Sequence, residues 1–359
     1  MVNGGPYFHN LLEPPAFAAL FREYPPEGFS CETDPSGLPL FFTDFDLLTT
    51  MDAAVRERLA RFPFASALAR KLRFYTCFAG TTITEYAPVP VGIMPSDLVD
   101  GLLQRQGGRQ SLTIIKDIPD ASPLLPGEDN AAASELARAA VERGFIQVEG
   151  QALAYLPLDF GDIDGYFAML SPGRRKDLRR KMKTRDAIDV DVMPLGDPRF
   201  NDTVFLDELY AMYLAVYEQS QIHFDLLSPA FFAALLKGTG GVLNGVVVCY
   251  RHQGVLAGYN ISLIHNGMFI DKYIGLRYPL ARDLNLYFVS WVVNLELAMQ
   301  HGCAIYVVGW TDPQVKAALG AKFTFTRHLV WVKNFALRRV LYLLRHFFES
   351  DSRVVGGKP

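Results

Sequence analysis

Cysteine is scarce in this chain: four residues among 359, Cys31, Cys77, Cys249 and Cys303, far apart in sequence and each set among apolar neighbours. That pattern fits free thiols in a reducing compartment and argues against a disulfide frame or a zinc site. An excess of charge is missing as well. With a net charge of −3 and only 20% charged residues, no global field draws in nucleic acid, and any anion binding must be local. No unbroken apolar stretch reaches the length of a membrane span. The opening MVNGGPYFHNLLEPP has no basic region ahead of an apolar core, so no secretory signal is expected. A cytoplasmic protein is the expectation. Also absent are a glycine-rich nucleotide loop, a metal-ligand spacing and a Gly-x-Ser-x-Gly elbow, which sets aside three common enzyme classes.

What is present is apolar and ordered. Half of the residues are hydrophobic, and the length favours two domains over one. Residues 1–30 are rich in proline and aromatics and read as an extension with a short helix from Ala16 to Glu23. From residue 31 to 160, strands alternate with helices: PLFFTDFDLL, RFYTCFAG, TITEYAPV, SLTIIKDI, FIQVEG and ALAYLPLDF are strand-like, with a hairpin expected near Gly150. MDAAVRERLARF, SDLVDGLLQRQ and DNAAASELARAAVERG are helical, and the alternation predicts an α/β sheet domain.

Residues 161–185 end in the most polar stretch of the chain. Ser171-Pro172 starts a helix, Leu178 and Met182 share one face, and Arg174, Arg175, Lys176, Arg179, Arg180, Lys181, Lys183 and Arg185 cover the rest. Two readings stay open: a solvated connecting helix, or a surface facing a polyanion that would relieve the mutual repulsion of eight cations.

Residues 186–335 run strand, helix (Val204–Glu218), loop, helix (Pro229–Lys237) and then three strands joined by Gln253-Gly254 and Asn266-Gly267 turns. After GLRYPLARD comes an apolar helix from Leu284, stopped by His301-Gly302, then the strand CAIYVVGW. A short helix capped by Thr311 or Asp312 and the strand KFTFTRHLVWV complete the domain. Residues 336–359 read as an amphipathic helix and a frayed tail. Its apolar face and arginines suit contact with an anionic membrane, with packing or a dimer seam as the alternatives.

This order resembles the acyl-CoA N-acyltransferase (GNAT) superfamily. The basic Ser171–Arg180 pattern is similar to its FemAB-like or BioF2-like branch, and the aromatic spacing from Tyr213 to Leu235 is similar to the corresponding stretch of the superfamily. The resemblance implies a mixed α/β fold of two GNAT-like domains in tandem, the first degenerate. It implies parted central strands, a carrier's phosphates at the head of the Leu284 helix, and direct acyl transfer to an amine. The donor it implies is acyl-CoA or an acyl carrier. The alternatives are aminoacyl-tRNA, as in FemAB-type transfer to a peptide amine, and a non-catalytic binding protein. LRYPLARD lacks the second and third glycines of the usual phosphate loop. Of a Tyr-Lys-x-x-x-Gly pattern after the fifth strand, Lys316 and Gly320 are present and Val315 replaces the tyrosine.

The site residues follow from these positions. Asp271, a carboxylate inside the apolar run FIDKYIG, is the candidate base, because a carboxylate there needs a partner. Pairing with Arg277 is the alternative. Strand alternation places Asp271 and Tyr273 on one face and Lys272 on the other. Tyr273, and His223 in a loop near the expected acceptor site, are the other catalytic candidates. Tyr259 and Asn260 are candidate substrate contacts. Gly275, Arg277, Arg282, Lys316, Arg179 and Arg180 are candidates to hold the carrier.

Overall fold

The computed structural model describes residues 7–46, 73–105, 110–220 and 224–344. The expected helix at 51–62, His223 and the tail beyond 344 lie outside the described residues. The chain divides into two compact units. Unit 1 is Met1–Ala152 with Thr324–Pro359, and unit 2 is Leu153–Phe323. The basic segment therefore belongs to unit 2. Most of the strand that follows Gly320 counts with unit 1.

Unit 1 opens with β1 (Phe8–His9), α1 (Pro15–Glu23), β2 (Ser30–Thr33), β3 (Pro39–Asp46), β4 (Arg73–Ala79) and β5 (Val89–Pro90). It continues with α2 (Pro95–Gln104), β6 (Leu112–Pro119), α3 (Gly127–Glu142) and the start of β7 (Ile146–Pro157). Two expectations need correction here. TITEYAPV is a buried loop from Thr81 to Pro88, not a strand. Its threonines satisfy the backbone locally: Thr84 Oγ1 donates to the Tyr86 carbonyl at 2.7 Å, and the Glu85 amide donates to the Glu13 carboxylate at 2.9 Å. Nor is there a hairpin at Gly150. β7 passes straight through it, and the glycine serves a close approach instead: a Cβ there would lie 2.2 Å from Thr326 Oγ1.

Unit 2 takes the end of β7, then α4 (Ile163–Met169), α5 (Pro172–Lys181) and a 3₁₀ turn (Met182–Ala187). Next come β8 (Asp189–Pro194), α6 (Thr203–Gln219), α7 (Pro229–Leu236), β9 (Gly245–His252), β10 (Val255–His265) and β11 (Met268–Leu276). The one-turn α8 (Leu280–Asp283), α9 (Leu286–Gln300), β12 (Ile305–Gly309) and α10 (Pro313–Ala318) complete it. β13 (Lys322–Val332) and α11 (Phe335–Leu344) close unit 1. α9 starts two residues later than expected, after Asn285. It stops where the turn was expected, with Gly302 N–H on the Met299 carbonyl and Cys303 N–H on that of Ala298.

Strand order in unit 1 is β2-β3-β4-β6-β13-β7, and in unit 2 it is β7-β12-β11-β10-β9-β8. Each has an antiparallel meander, then one parallel neighbour, then an antiparallel strand: β4 beside β6 in unit 1, β11 beside β12 in unit 2. The fold is mixed α/β. The two units have separate cores, one centred on Leu136, Ile118 and Leu329, the other on Trp291, Phe269 and Tyr306. Among the described residues, no helix is long and apolar enough to cross a membrane.

Candidate active site

The centre of unit 2 is a fork. β11 and β12 pair only over Met268–Ile270 and Ile305–Val307. Beyond that point β11 stays with β10 up to Leu276, while β12 stays with β7, with Gly309 opposite Ala154. Gly309 has φ +82°, a conformation side chains resist, and it faces the Asp271 carbonyl across the gap. Asp271 is thus the first residue past the last pair.

Its surroundings are polar and enclosed. Asn260 Nδ2 donates to both carboxylate oxygens, at 3.2 and 3.3 Å, and Ser262 Oγ donates at 3.3 Å. From the other side, Tyr306 OH donates at 3.1 Å and Asn294 Nδ2, on α9, at 3.2 Å; the same Nδ2 also donates to Tyr306 OH. Asp271 keeps some solvent-accessible surface. The atoms packed around its carboxyl nonetheless remove most of its hydration, and this burial pushes it up to about 6 against the pull of its donors and of nearby Lys316. A carboxyl near 6 is ionised at neutral pH yet basic enough to accept a proton.

A bulge corrects the reading of the two faces. Ser262 lies opposite Asp271 and Ile261 opposite Tyr273, so Lys272 is an extra residue in the ladder. Asp271 therefore faces α9, whereas Tyr273 packs edge-on to Tyr213 of α6, on the opposite face. Tyr259 belongs to that second face, 6.2 Å from the Phe232 ring of α7, and Asn260 to the first. The structure gathers Asp271 and Asn260 and separates them from Tyr273 and Tyr259.

The carrier candidates are engaged one by one by the protein itself. Gly275 lies under the Tyr259 ring: a Cβ there would be 2.1 Å from the ring. Arg277 donates to Glu208 of α6 at 2.6 Å, and its pairing with Asp271 is not realised. Arg282 reaches Gln219 at 2.9 Å and covers the Tyr278 ring. Lys316 is buried, its ammonium on the Val308 carbonyl at 2.9 Å, beside Gly309 at the fork.

Much of the basic segment is tied down within unit 2. Arg175 caps the end of α4 through the Ala168 and Leu170 carbonyls, and Arg174 reaches the Ala317 carbonyl at the end of α10. Arg180 and Lys181 pair with Asp177, and Arg185 grips Glu296 with two bonds of 2.7 and 2.5 Å. Arg179 lies over the Phe167 ring. The end of this segment meets the head of α9: Lys181 sits 3.5 Å from the centre of the Phe288 ring, and Thr184 Oγ1 donates to the Leu284 carbonyl. Tyr287, in the first turn of α9, is close enough to feel the charges of both Asp271 and Asp312. Fork, helix head and cationic helix thus come together.

Comparison with known proteins identifies a domain within the chain. Residues 172–316 match the family described as an acetyltransferase (GNAT) domain. That segment is a GNAT acyltransferase domain. No curated protein matches the chain. Among solved structures, it resembles the C-terminal domain of a protein described as a lysylphosphatidylglycerol synthetase from Agrobacterium fabrum. The identity is 12%, with 97% of this chain and 95% of that one covered, and a TM-score of 0.55. It also resembles L-PGS from Bacillus licheniformis (10%, 95% and 99%, 0.54) and FemX (10%, 93% and 96%, 0.52). At such identities the likeness is one of fold.

Sequence reasoning missed Asn294, Ser262 and Tyr306. Asn294 left a signal, as a lone amide in the apolar run SWVVNLELA, and it is fully buried. Tyr306 left none, since CAIYVVGW reads as an ordinary buried strand.

Proposed function

We propose that the GNAT domain transfers an acyl group from a phosphate-bearing carrier to an amine, with Asp271 as the base. The observation that carries this is the parting of β11 from β12 at Asp271. The gap leaves a slot into which a thioester or ester could be laid, with a carboxylate near 6 at its edge. The amine nitrogen attacks the acyl carbon and becomes cationic, and Asp271 takes a proton from it. The bond from the acyl carbon to the carrier's sulfur or oxygen then breaks, the leaving atom keeps the electron pair, and the proton on Asp271 passes to it. The head of α9, with Lys181 and Arg282 around it, suits the carrier's phosphates.

Acyl-CoA is the first candidate donor. A lysylphosphatidylglycerol synthetase among proteins of the same fold favours a second, an aminoacyl group from aminoacyl-tRNA. Thermal shift separates the two. Stabilisation by acetyl-CoA supports the first, stabilisation by charged tRNA the second, and a melting temperature unmoved by either overturns transfer. Replacing Arg179 and Arg180 by alanine should weaken donor binding by roughly tenfold, about one charge-assisted hydrogen bond, without changing the melting temperature. Unchanged affinity would return this helix to a purely structural role.

Unit 1 fits a degenerate copy of the same plan. Its β4 stays paired with β6 up to Ala79, where β4 ends, so the described residues there form no fork. The four free cysteines suit a cytoplasmic setting. On α11, Phe335 and Leu343 are 69% and 70% exposed, and Arg339 lies between them on the same face. This face fits contact with an anionic membrane. The full chain should sediment with phosphatidylglycerol vesicles and not with phosphatidylcholine vesicles. Phe335→Glu with Leu343→Glu should abolish that, and equal sedimentation of the double variant would refute the contact.

A further inference from the structure

We propose that Asn294 and Asn260 are positioning residues that let Asp271 exist in both protonation states, each by turning its side-chain amide over. The purpose of such a device rests on the transfer reading above; its existence does not.

A base enclosed by protein meets a difficulty that an exposed one avoids. As a carboxylate it needs donors, and once protonated it becomes a donor and needs an acceptor. The surroundings of Asp271 are built for the first state. Three amide N–H···O bonds reach it, two from Asn260 and one from Asn294, with hydroxyls of Ser262 and Tyr306 beside them. For the second state the hydroxyls can turn and accept, and the other ends of the same amides offer stronger carbonyl acceptors. Asn260 Oδ1 and Asn294 Oδ1 are buried and meet no donor among the described residues. Their side chains are 1% and 0% exposed, so water does not freely satisfy them. Two orphaned acceptors on the two amides that already grip the carboxylate are costly unless something uses them.

Rotating either amide by half a turn exchanges Nδ2 and Oδ1. The carbonyl oxygen then points at Asp271 and accepts the O–H of the protonated carboxyl. No backbone moves, and no other group has to change its charge. The titratable groups that face Asp271 from each packed element are Tyr250 on β9, Tyr306 on β12, Tyr287 on α9 and Lys316 on α10. Burial raises all three tyrosines above their ordinary range, so Asp271 is the group of this set expected to titrate near neutrality. The proton taken from the reacting nitrogen is thereby held in a hydrogen bond until the leaving group collects it.

The test needs no substrate. The full chain, labelled with ¹³C at aspartate side chains and ¹⁵N at asparagine side chains, is titrated by NMR from pH 4.5 to 8. The Asp271 carboxyl should move with a midpoint near 6, and the side-chain NH₂ signals of Asn294 or Asn260 should shift with the same midpoint. Amide signals that stay fixed through the Asp271 transition overturn the proposal, as does an Asp271 midpoint near 4. In Asn260→Leu with Asn294→Leu the ionised form loses three hydrogen bonds from two amides, and the acid loses both candidate amide acceptors. Its midpoint should therefore rise by about one unit or more, and an unmoved midpoint counts against the proposal. If that variant does not fold, the wild-type titration decides alone. Loss of donor binding or of activity leaves this titration intact, so the two ideas fall separately.

Discussion

Asp271→Asn is expected to lower the rate of acyl transfer by roughly 10²–10⁴-fold, the usual share of a positioned base, while leaving the protein as stable as before or more so at pH 8. The two halves of that result have one cause. Burial raises the Asp271 carboxyl from its ordinary 3.8 to about 6, so the folded state holds a proton more tightly than the unfolded chain does. This contribution to stability is full below about pH 4 and is lost as pH rises through 6, a change of about 3 kcal/mol over two units. Asparagine carries no charge to strip of water, so the variant should lack this pH dependence in urea unfolding between pH 5 and 8. Activity runs the opposite way: the wild type should gain rate as pH rises through 6, and the variant should show no such limb. Activity within tenfold of wild type would remove Asp271 from the mechanism.

Gly275→Val should destabilise the chain by about 3 kcal/mol, the upper end of the usual range for an overfilled core. The Tyr259 ring occupies the space that a side chain at 275 needs, with its nearest atom 2.1 Å from the position of a Cβ. Tyr259 is wholly buried and is packed edge-on against Phe232, so it has nowhere to withdraw. Tyr259→Ala should therefore recover much of the loss when combined with Gly275→Val, although alone it opens a cavity and destabilises. Additive losses in chemical denaturation would show that the two positions do not compete for the same volume. A carrier-binding role for Gly275 predicts a different outcome, weaker donor binding with stability unchanged.

The legible part of the fold was the part written in periodicity and turn residues. The β9–β11 meander announced itself through Gln253-Gly254 and Asn266-Gly267, and α9 through its apolar run and the His301-Gly302 stop. The buried loop at Thr81–Pro88 misled because threonine, isoleucine and tyrosine favour strands, whereas here the threonine hydroxyls bond the backbone within the loop. Asp271 was legible as a carboxylate out of place. The side it faces was not, since one inserted residue at Lys272 reverses the alternation and leaves no mark on composition. The cations of α5 and of the turn after it looked mutually repulsive because their acceptors, the carbonyls ending α4 and α10 and the carboxylate of Glu296, lie outside the basic run.

Unit 1 is assembled from the two ends of the chain, with 171 residues of unit 2 between its pieces, and β13 must reach β6 before its sheet is whole. A ribosome releases those pieces far apart in time. The N-terminal piece therefore waits with an open sheet edge until the strand beyond residue 323 emerges, while unit 2 can close first. Refolding should accordingly be paced by an association distant along the chain, and truncation near residue 320 should expose that waiting edge and lead to aggregation.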